Sequence, residues 1–508
     1  MVVKCNSVGL FGLDGFIVEV EADVSGGIAA FDVVGLPDTA VKESRDRVRT
    51  AMHNCGYGFP VSRITVNLAP ADIKKAGPLY DLPILVAIMR ATAQISCDVS
   101  ECAFIGELSL SGEVRPVNGI LPMTIKAKEV GIKKIFVPAD NSAQGAVVEG
   151  IEVYPVKNVP QLISHLQGRN LIEKESAPSW QNSEGFVPDF SQVKGQFEAK
   201  RALEVAAAGG HNVLLIGPPG SGKSMLAKRI PSIMPDMTFD ERIDASKIHS
   251  IAGLLAKGQS LISERPFRSP HHTVSAVGLS GGGTIPRPGE VSLAHNGVLF
   301  LDELPEFSRT ALEVLRQPME DGLVTVSRVH STVSYPCSVM LIAAMNPCPC
   351  GYYEHPRKKC TCSDTAIHRY LGKVSGPLLD RIDIHIEVPP VEYDDLNGYS
   401  DGEPSAKIKE RVNKARQIQL ERFKGTDITC NARITADVFR KVCATDEKAQ
   451  EVLRKAFDKL GLSARAYDRI LKVSRTIADL EGSEIIRADH VLEAVQYRTL
   501  DKKYWSKS

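Results

Sequence analysis

Short apolar runs punctuate the chain and set its predicted elements. In the first third, Phe16-Ile17-Val18, Ile64-Thr65-Val66 and Ile135-Phe136-Val137 read as strands, while Val41 to Met52 and Leu82 to Ala91 carry helical patterns. Further on, Val213-Leu214-Leu215-Ile216 is apolar throughout, as a parallel strand covered on both faces must be. Val298-Leu299-Phe300-Leu301 and Val339 to Ala344 are two more such runs. Between them, Gly322 to Tyr335 alternates Val324, Val326 and Val329 with Thr325, Ser327 and Arg328, the pattern of a hairpin. The last hundred residues are helical: Ala466, Ile470, Val473, Ile477 and Leu480 hold the 4-3-4-3 spacing of a packed helix face. Two polar stretches divide these patterns, a Pro-containing one from Glu173 to Pro188 and an acidic, Gly-containing one from Asp394 to Glu403. The predicted fold class is α/β, with an α+β domain over 1–170, a linker over 171–190, a parallel-sheet core over 191–395 and a helical domain over 396–508.

Composition changes this picture little. A chain of 508 residues with 43% hydrophobic and 24% charged positions suits a soluble globular protein of several domains. Lys plus Arg and Asp plus Glu are 61 each, so the whole chain makes no electrostatic case for nucleic acid, and any such contact must come from local loops. No run approaches the roughly 18 apolar residues of a membrane span, and the first residues lack the basic-then-apolar pattern of a signal peptide, so a cytoplasmic location with no membrane partner is expected. Eleven cysteines are too sparse for a disulfide scaffold, but four of them cluster.

The chemistry centres on Gly217-Pro218-Pro219-Gly220-Ser221-Gly222-Lys223-Ser224, which follows the apolar strand 213–216 and precedes the helical spacing of Met225, Leu226 and Ile230. Strand, Gly-rich loop and helix in that order are what a phosphate-cradling loop requires. Glycines let backbone N–H groups close around phosphate oxygens, and the helix N-terminus adds positive dipole. Lys223 is expected on the β- and γ-phosphates of ATP, and the Ser224 hydroxyl on Mg²⁺. Asp302 and Glu303 close the strand 298–301: Asp302 can hold the Mg²⁺ water shell, and Glu303 can polarise the attacking water. Asn346 ends the run 339–344 and is placed to orient that water.

In this order and spacing the motifs resemble an AAA+ ATPase. More narrowly, Val193-Lys194-Gly195-Gln196, Ser269-Pro270-His271-His272, Gly376-Pro377-Leu378-Leu379-Asp380-Arg381-Ile382-Asp383 and Leu462-Ser463-Ala464-Arg465 resemble the magnesium-chelatase-like ComM/YifB family. The resemblance implies a homo-hexameric ring with ATP sandwiched between neighbours. It makes Arg381 the arginine finger and Arg465, on the helical lid, the sensor arginine. It also makes the Gly-rich stretch Ala276 to Thr284 a hairpin directed to the centre of the ring. Arg287, Arg328 and His330, on this and the second hairpin, are candidates for contact with a DNA backbone. The first domain resembles the Lon protease fold through Gly106 to Val117 and Lys75-Ala76-Gly77-Pro78. Leu79 and Leu121 stand where the Ser–Lys dyad would, so a non-proteolytic scaffold is expected.

Cys348-Pro349-Cys350-Gly351 and Cys360-Thr361-Cys362 offer four thiolates to one tetrahedral ion, zinc being expected and an iron–sulfur cluster its rival. His355 and His368 can each replace one thiolate. Three functional classes follow. The resemblance implies a DNA-acting motor driving branch migration of incoming DNA in natural transformation. The alternatives are a magnesium-chelatase-type subunit, against which the Lon-like domain and the cysteines count and for which a porphyrin partner is not expected, and an ATP-dependent protease, opposed by Leu79 and Leu121.

Overall fold

The computed structural model describes residues 2–176, 188–283, 286–328, 331–390 and 402–505. They form two compact units. The first holds the N-terminal residues to 176 together with the stretch Arg242–Ile262; the second holds the rest.

In the first unit a mixed sheet of seven strands runs Ala30–Val34, Arg63–Ala69, Asp14–Ser25, Val3–Phe11, Cys102–Phe104, Lys134–Pro138 and Glu152–Val156. The long pair Val3–Phe11 and Asp14–Ser25 is antiparallel, joined by a tight turn with Gly12 at positive φ. Every strand predicted in this third of the chain is present. The helix predicted over Val41–Met52 is two, Thr39–Lys42 and Ser44–Asn54, joined at Glu43. Helix Asp81–Ala91 is buried along nearly its whole length, and its Asp81 is held by Arg47 at 2.6 Å. Leu79 and Leu121 are both packed in this core. Residues 242–262, which lie within the predicted core domain in sequence, pack here: Leu261 joins the core, Ser250 Oγ donates to Gln144 at 2.8 Å, and the Gly119 N–H donates to the Ser250 carbonyl.

The second unit is built on five parallel strands in the order Phe267–Arg268, Val298–Leu301, Met340–Met345, Val213–Ile216 and Ile384–Glu387. The three central strands are fully buried, as their unbroken apolar runs require. Helix Phe197–Gly209 covers the sheet, and its last carbonyls, on Ala207 and Ala208, accept from the buried Arg416 of helix Ser405–Arg422. Side-chain donors thereby satisfy a helix end that water does not reach. Helix Ala464–Leu480 starts on a Ser463 cap and buries Ala466, Ile470, Val473 and Ile477 of the predicted stripe, whose last member, Leu480, is half-buried.

Asp383, at the head of the last strand, fastens this helix to the sheet. Its carboxylate lies 2.6 Å from Arg469 and 3.5 Å from His211, and it accepts the Asn212 N–H at 3.0 Å. Burial opposes its ionisation, but the Arg469 charge, the His211 side chain beside it and the Asn212 N–H bond prevail and hold its pKa well below the ordinary carboxylate range. A carboxylate with a depressed folded pKa contributes fully above its unfolded pKa of about 3.9, and the contribution is lost as pH falls through the folded value. Asp383→Ala should therefore lower stability by about 3 kcal/mol at neutral pH, because Arg469 loses its partner. Asp383→Asn should flatten the acid limb of stability against pH. Urea unfolding across pH 3–7 checks both.

Candidate active site

Parallel registration brings the chemistry to one edge. Ile216 stands opposite Met345, and Leu301 opposite Ala343, so the phosphate loop, Asp302 and Asn346 leave the sheet side by side. In the loop, Gly220 and Gly222 take φ of 79° and 92°, which a side chain would resist. Lys223 folds back, 8% exposed, and donates to the carbonyls of Gly217 at 2.8 Å and Pro218 at 2.9 Å and to Asn346 Oδ1 at 3.2 Å. Burial pushes its ammonium down to about 8 against the pull of Asp302. Ser224 Oγ donates to Asp302 Oδ2 at 2.6 Å, which aims hydroxyl and carboxylate at one point where a divalent ion would bridge them. Lys223, Ser224, Asp302 and Asn346, from three separate stretches of sequence, thus meet.

Glu303 differs from its neighbours: it is exposed, and its φ of 54° is left-handed, a conformation that non-glycine residues seldom hold without cause. The turn points its carboxylate at His272, whose Nδ1 lies 3.5 Å from Glu303 Oε2; the His271 ring packs on His272 with centroids 4.0 Å apart. His272 follows the strand Phe267–Arg268, so the sheet places it beside the acid. The sequence signalled it only as part of a family motif with no role. Gln196 is a second such residue: its Nε2 donates to Ser221 O at 3.3 Å and to Pro389 O at 2.6 Å, tying the phosphate loop to the chain beyond the last strand.

Arg381 and Arg465 lie elsewhere. Both line a cleft of about 560 Å³ with Arg433, Arg440 and Arg469, which no phosphate-loop residue lines. Arg381 is held by Glu320 at 2.5 Å and by the Pro377 carbonyl; Arg465 is exposed on the first turn of its helix. The hairpin Leu323–Arg328 with Ser331–Pro336 forms as predicted, with Val324 and Val326 buried on one face. Val329, His330 and the Arg328 side chain lie outside the described residues. The Gly-rich stretch is a short helix, Ala276–Ser280, leading into an antiparallel ladder that pairs Gly281 with Pro288 and Gly282 with Arg287; Arg287 is exposed.

The chain matches the model described as magnesium chelatase, subunit ChlI, over residues 189–396, and those for subunit ChlI of Mg-chelatase over 20–141 and the ChlI C-terminal region over 402–498. It is 42% identical to the uncharacterized protein YifB of Escherichia coli, covering 96% of this chain and 94% of that one, and 42% identical to the competence protein ComM of Haemophilus influenzae, covering 96% of each. It belongs to this magnesium-chelatase-like family. Lon protease 2 of Bacillus subtilis is 27% identical over 32% of each chain, in keeping with a Lon-like N-terminal region. The family is one of AAA+ ATPases, which implies ATPase activity.

Behind this site the cysteines converge. Cys348 Sγ lies 3.4 Å from Cys350 and 3.7 Å from Cys360, and Cys350 lies 3.5 Å from Cys360; all four sulfurs, Cys362 included, fall within 4.8 Å of one another. Bonds of about 2.3 Å from a tetrahedral ion to sulfur give edges of about 3.8 Å, so the spacing fits zinc and is far too long for disulfides. His355 is spent in the turn, its Nδ1 accepting from the Arg357 and Lys358 N–H groups, and His368 is exposed on the next helix; neither joins the sulfurs. The knuckle touches the phosphate loop. Gly351, at φ 81°, is so close that a Cβ would stand 2.3 Å from Pro219 Cδ. Gly351→Ala should displace the loop and weaken ATP binding about tenfold in a nucleotide titration, with the fold retained.

The protein purified without chelators should contain about one equivalent of zinc and show no visible absorption, unlike an iron–sulfur cluster. Cys360→Ser with Cys362→Ser should release the ion and lower the melting temperature, since binding energy at a closed four-ligand site is folding energy. Elemental analysis and thermal unfolding check both.

Proposed function

We propose that this protein is an ATP-hydrolysing motor of the cytoplasm that works as a ring, a homo-hexamer, and moves DNA strands during recombination of incoming DNA. The observation that carries the reading is the division of the catalytic set. Lys223, Ser224, Asp302, Glu303 and Asn346 gather on one sheet edge, whereas Arg381 and Arg465 line a different cleft. A γ-phosphate held by the first group, Lys223 included, then receives its arginines from a neighbouring subunit.

In this mechanism Lys223 moves from the loop carbonyls to the β- and γ-phosphates. Ser224 and Asp302 would hold Mg²⁺, which when bound would supply charge stabilisation to the phosphates. Glu303 takes a proton from water aligned by Asn346, and release from His272 frees it to do so. Arg381 leaves Glu320 for the transferring phosphoryl group, with Arg465 beside it. Cys348, Cys350, Cys360 and Cys362 would hold zinc, which would stiffen the knuckle that sets Gly351 against Pro219. Eleven cysteines without a disulfide fit a reducing compartment. The name of the competence protein ComM, a full-length relative, supports DNA as the substrate, as do the two hairpins with Arg287 exposed on one of them. Leu79 and Leu121, both packed in the first core, supply neither nucleophile nor base for proteolysis.

Glu303→Gln should bind ATP normally and hydrolyse it at least ~10²-fold more slowly, whereas Lys223→Ala should lose binding itself. Arg381→Ala should keep ATP affinity and lose most turnover, and mixing it with Lys223→Ala protein should restore part, since each supplies what the other lacks. Steady-state hydrolysis, nucleotide titration and a branched-DNA substrate read these out. Full turnover by a monomer would refute the shared site.

A further inference from the structure

The geometry points to a groove for single-stranded nucleic acid on the first unit, between helix Ser44–Asn54 and the edge strand Ala30–Val34. The helix buries Val48, Ala51 and Met52 and turns Arg45, Arg49 and His53, four residues apart, outward along one face. Across from that basic row the edge strand supplies Phe31, and the segment after the helix supplies Tyr57 and Phe59. Together they line an open groove of about 740 Å³, room for one or two nucleotides. The Phe31 and Phe59 rings are 5.9 Å apart at a tilt of 37°, and the Arg49 guanidinium stands 5.9 Å from the Phe59 centroid.

The charges favour an anion. Asp46 is the one carboxylate among the lining residues and lies 3.4 Å from Arg45; Asp32, on the edge strand, faces Arg63 at 4.0 Å. Arg49 has no carboxylate within ion-pair distance among the described residues, its plane being given to an aromatic ring. Arg169 adds positive charge beside Tyr57. In a chain with no net charge, this row is local. A strip of cations facing aromatic rings suits phosphates on one side and unstacked bases on the other. A duplex keeps its bases stacked and cannot use the rings. A peptide added to the edge strand would use its backbone and have no need of the cations.

This groove contains none of the nucleotide-site residues, so it stands or falls apart from the motor reading. The test is fluorescence anisotropy of the full-length protein, without ATP, against a labelled oligothymidine of about twenty nucleotides. Arg45→Glu with Arg49→Glu should weaken binding at least about tenfold and reduce its salt dependence, while hydrolysis of ATP without DNA is unchanged. Phe59→Leu, which keeps apolar volume, should weaken binding severalfold with the salt dependence unaltered. Should the charge reversal unfold the chain by circular dichroism, Arg49→Gln, smaller and uncharged, takes its place. Equal oligothymidine affinity in the wild type and the folded charge variant would overturn the proposal, as would a duplex binding as tightly as the single strand with Phe59→Leu silent.

Discussion

The parallel alignment of the five strands in the second unit is the constraint on which its chemistry depends. Parallel strands release their chains at one edge of the sheet, and the register of Val213–Ile216 against Met340–Met345 and of the latter against Val298–Leu301 fixes what meets there. Residues more than a hundred positions apart, Lys223 and Asn346, come within 3.2 Å, and Ser224 and Asp302 within 2.6 Å. A slip by one residue would turn each strand's side chains to the other face and send Asp302 or Asn346 away from the loop. These strands are buried on both faces, so their register rests on the packing of particular side chains rather than on polar and apolar alternation.

Asp383 extends the same logic to the helical part. Its carboxylate joins the amide of Asn212, which precedes the phosphate-loop strand, to Arg469 on helix Ala464–Leu480. Arg465 is one turn up that helix, and Arg381 is two residues before Asp383 in sequence. One buried ion pair thus fixes the floor beneath both arginines. The cleft they share is positively lined because the groups that would balance it are few: Glu320, Asp383 and Asp468 against five arginines and Lys472. Such an excess suits an anionic group brought from outside this chain.

The phosphate loop is braced from several directions by groups that do no chemistry. Gln196 holds the Ser221 carbonyl, and Gly351 of the cysteine knuckle packs on Pro219. The knuckle follows two residues after Asn346, so one short segment both ends the strand Met340–Met345 and backs the loop. Flexible Gly-rich backbone needs such support to present its N–H groups in one arrangement, because its own conformational entropy works against order.

The sequence by itself determined the phosphate loop, the acid pair after an apolar run, the strand-ending Asn and the cysteine spacing. Each is a local pattern whose chemistry follows from residue type and distance along the chain. It determined the central strands and the Ala466–Leu480 stripe as well, since burial writes itself into unbroken or periodic apolar positions. The joint at Glu43 was not legible there, because both short helices carry one continuous helical pattern. Only the tertiary structure placed Arg242–Ile262 in the first unit, since where a helical segment docks depends on the surface it meets. Only it set His272 against Glu303, Gly351 against Pro219, and Arg381 in a cleft with Arg465. Those pairings join residues that are distant along the chain, and what brings them together is the order of strands in a sheet, which no single stretch of sequence encodes.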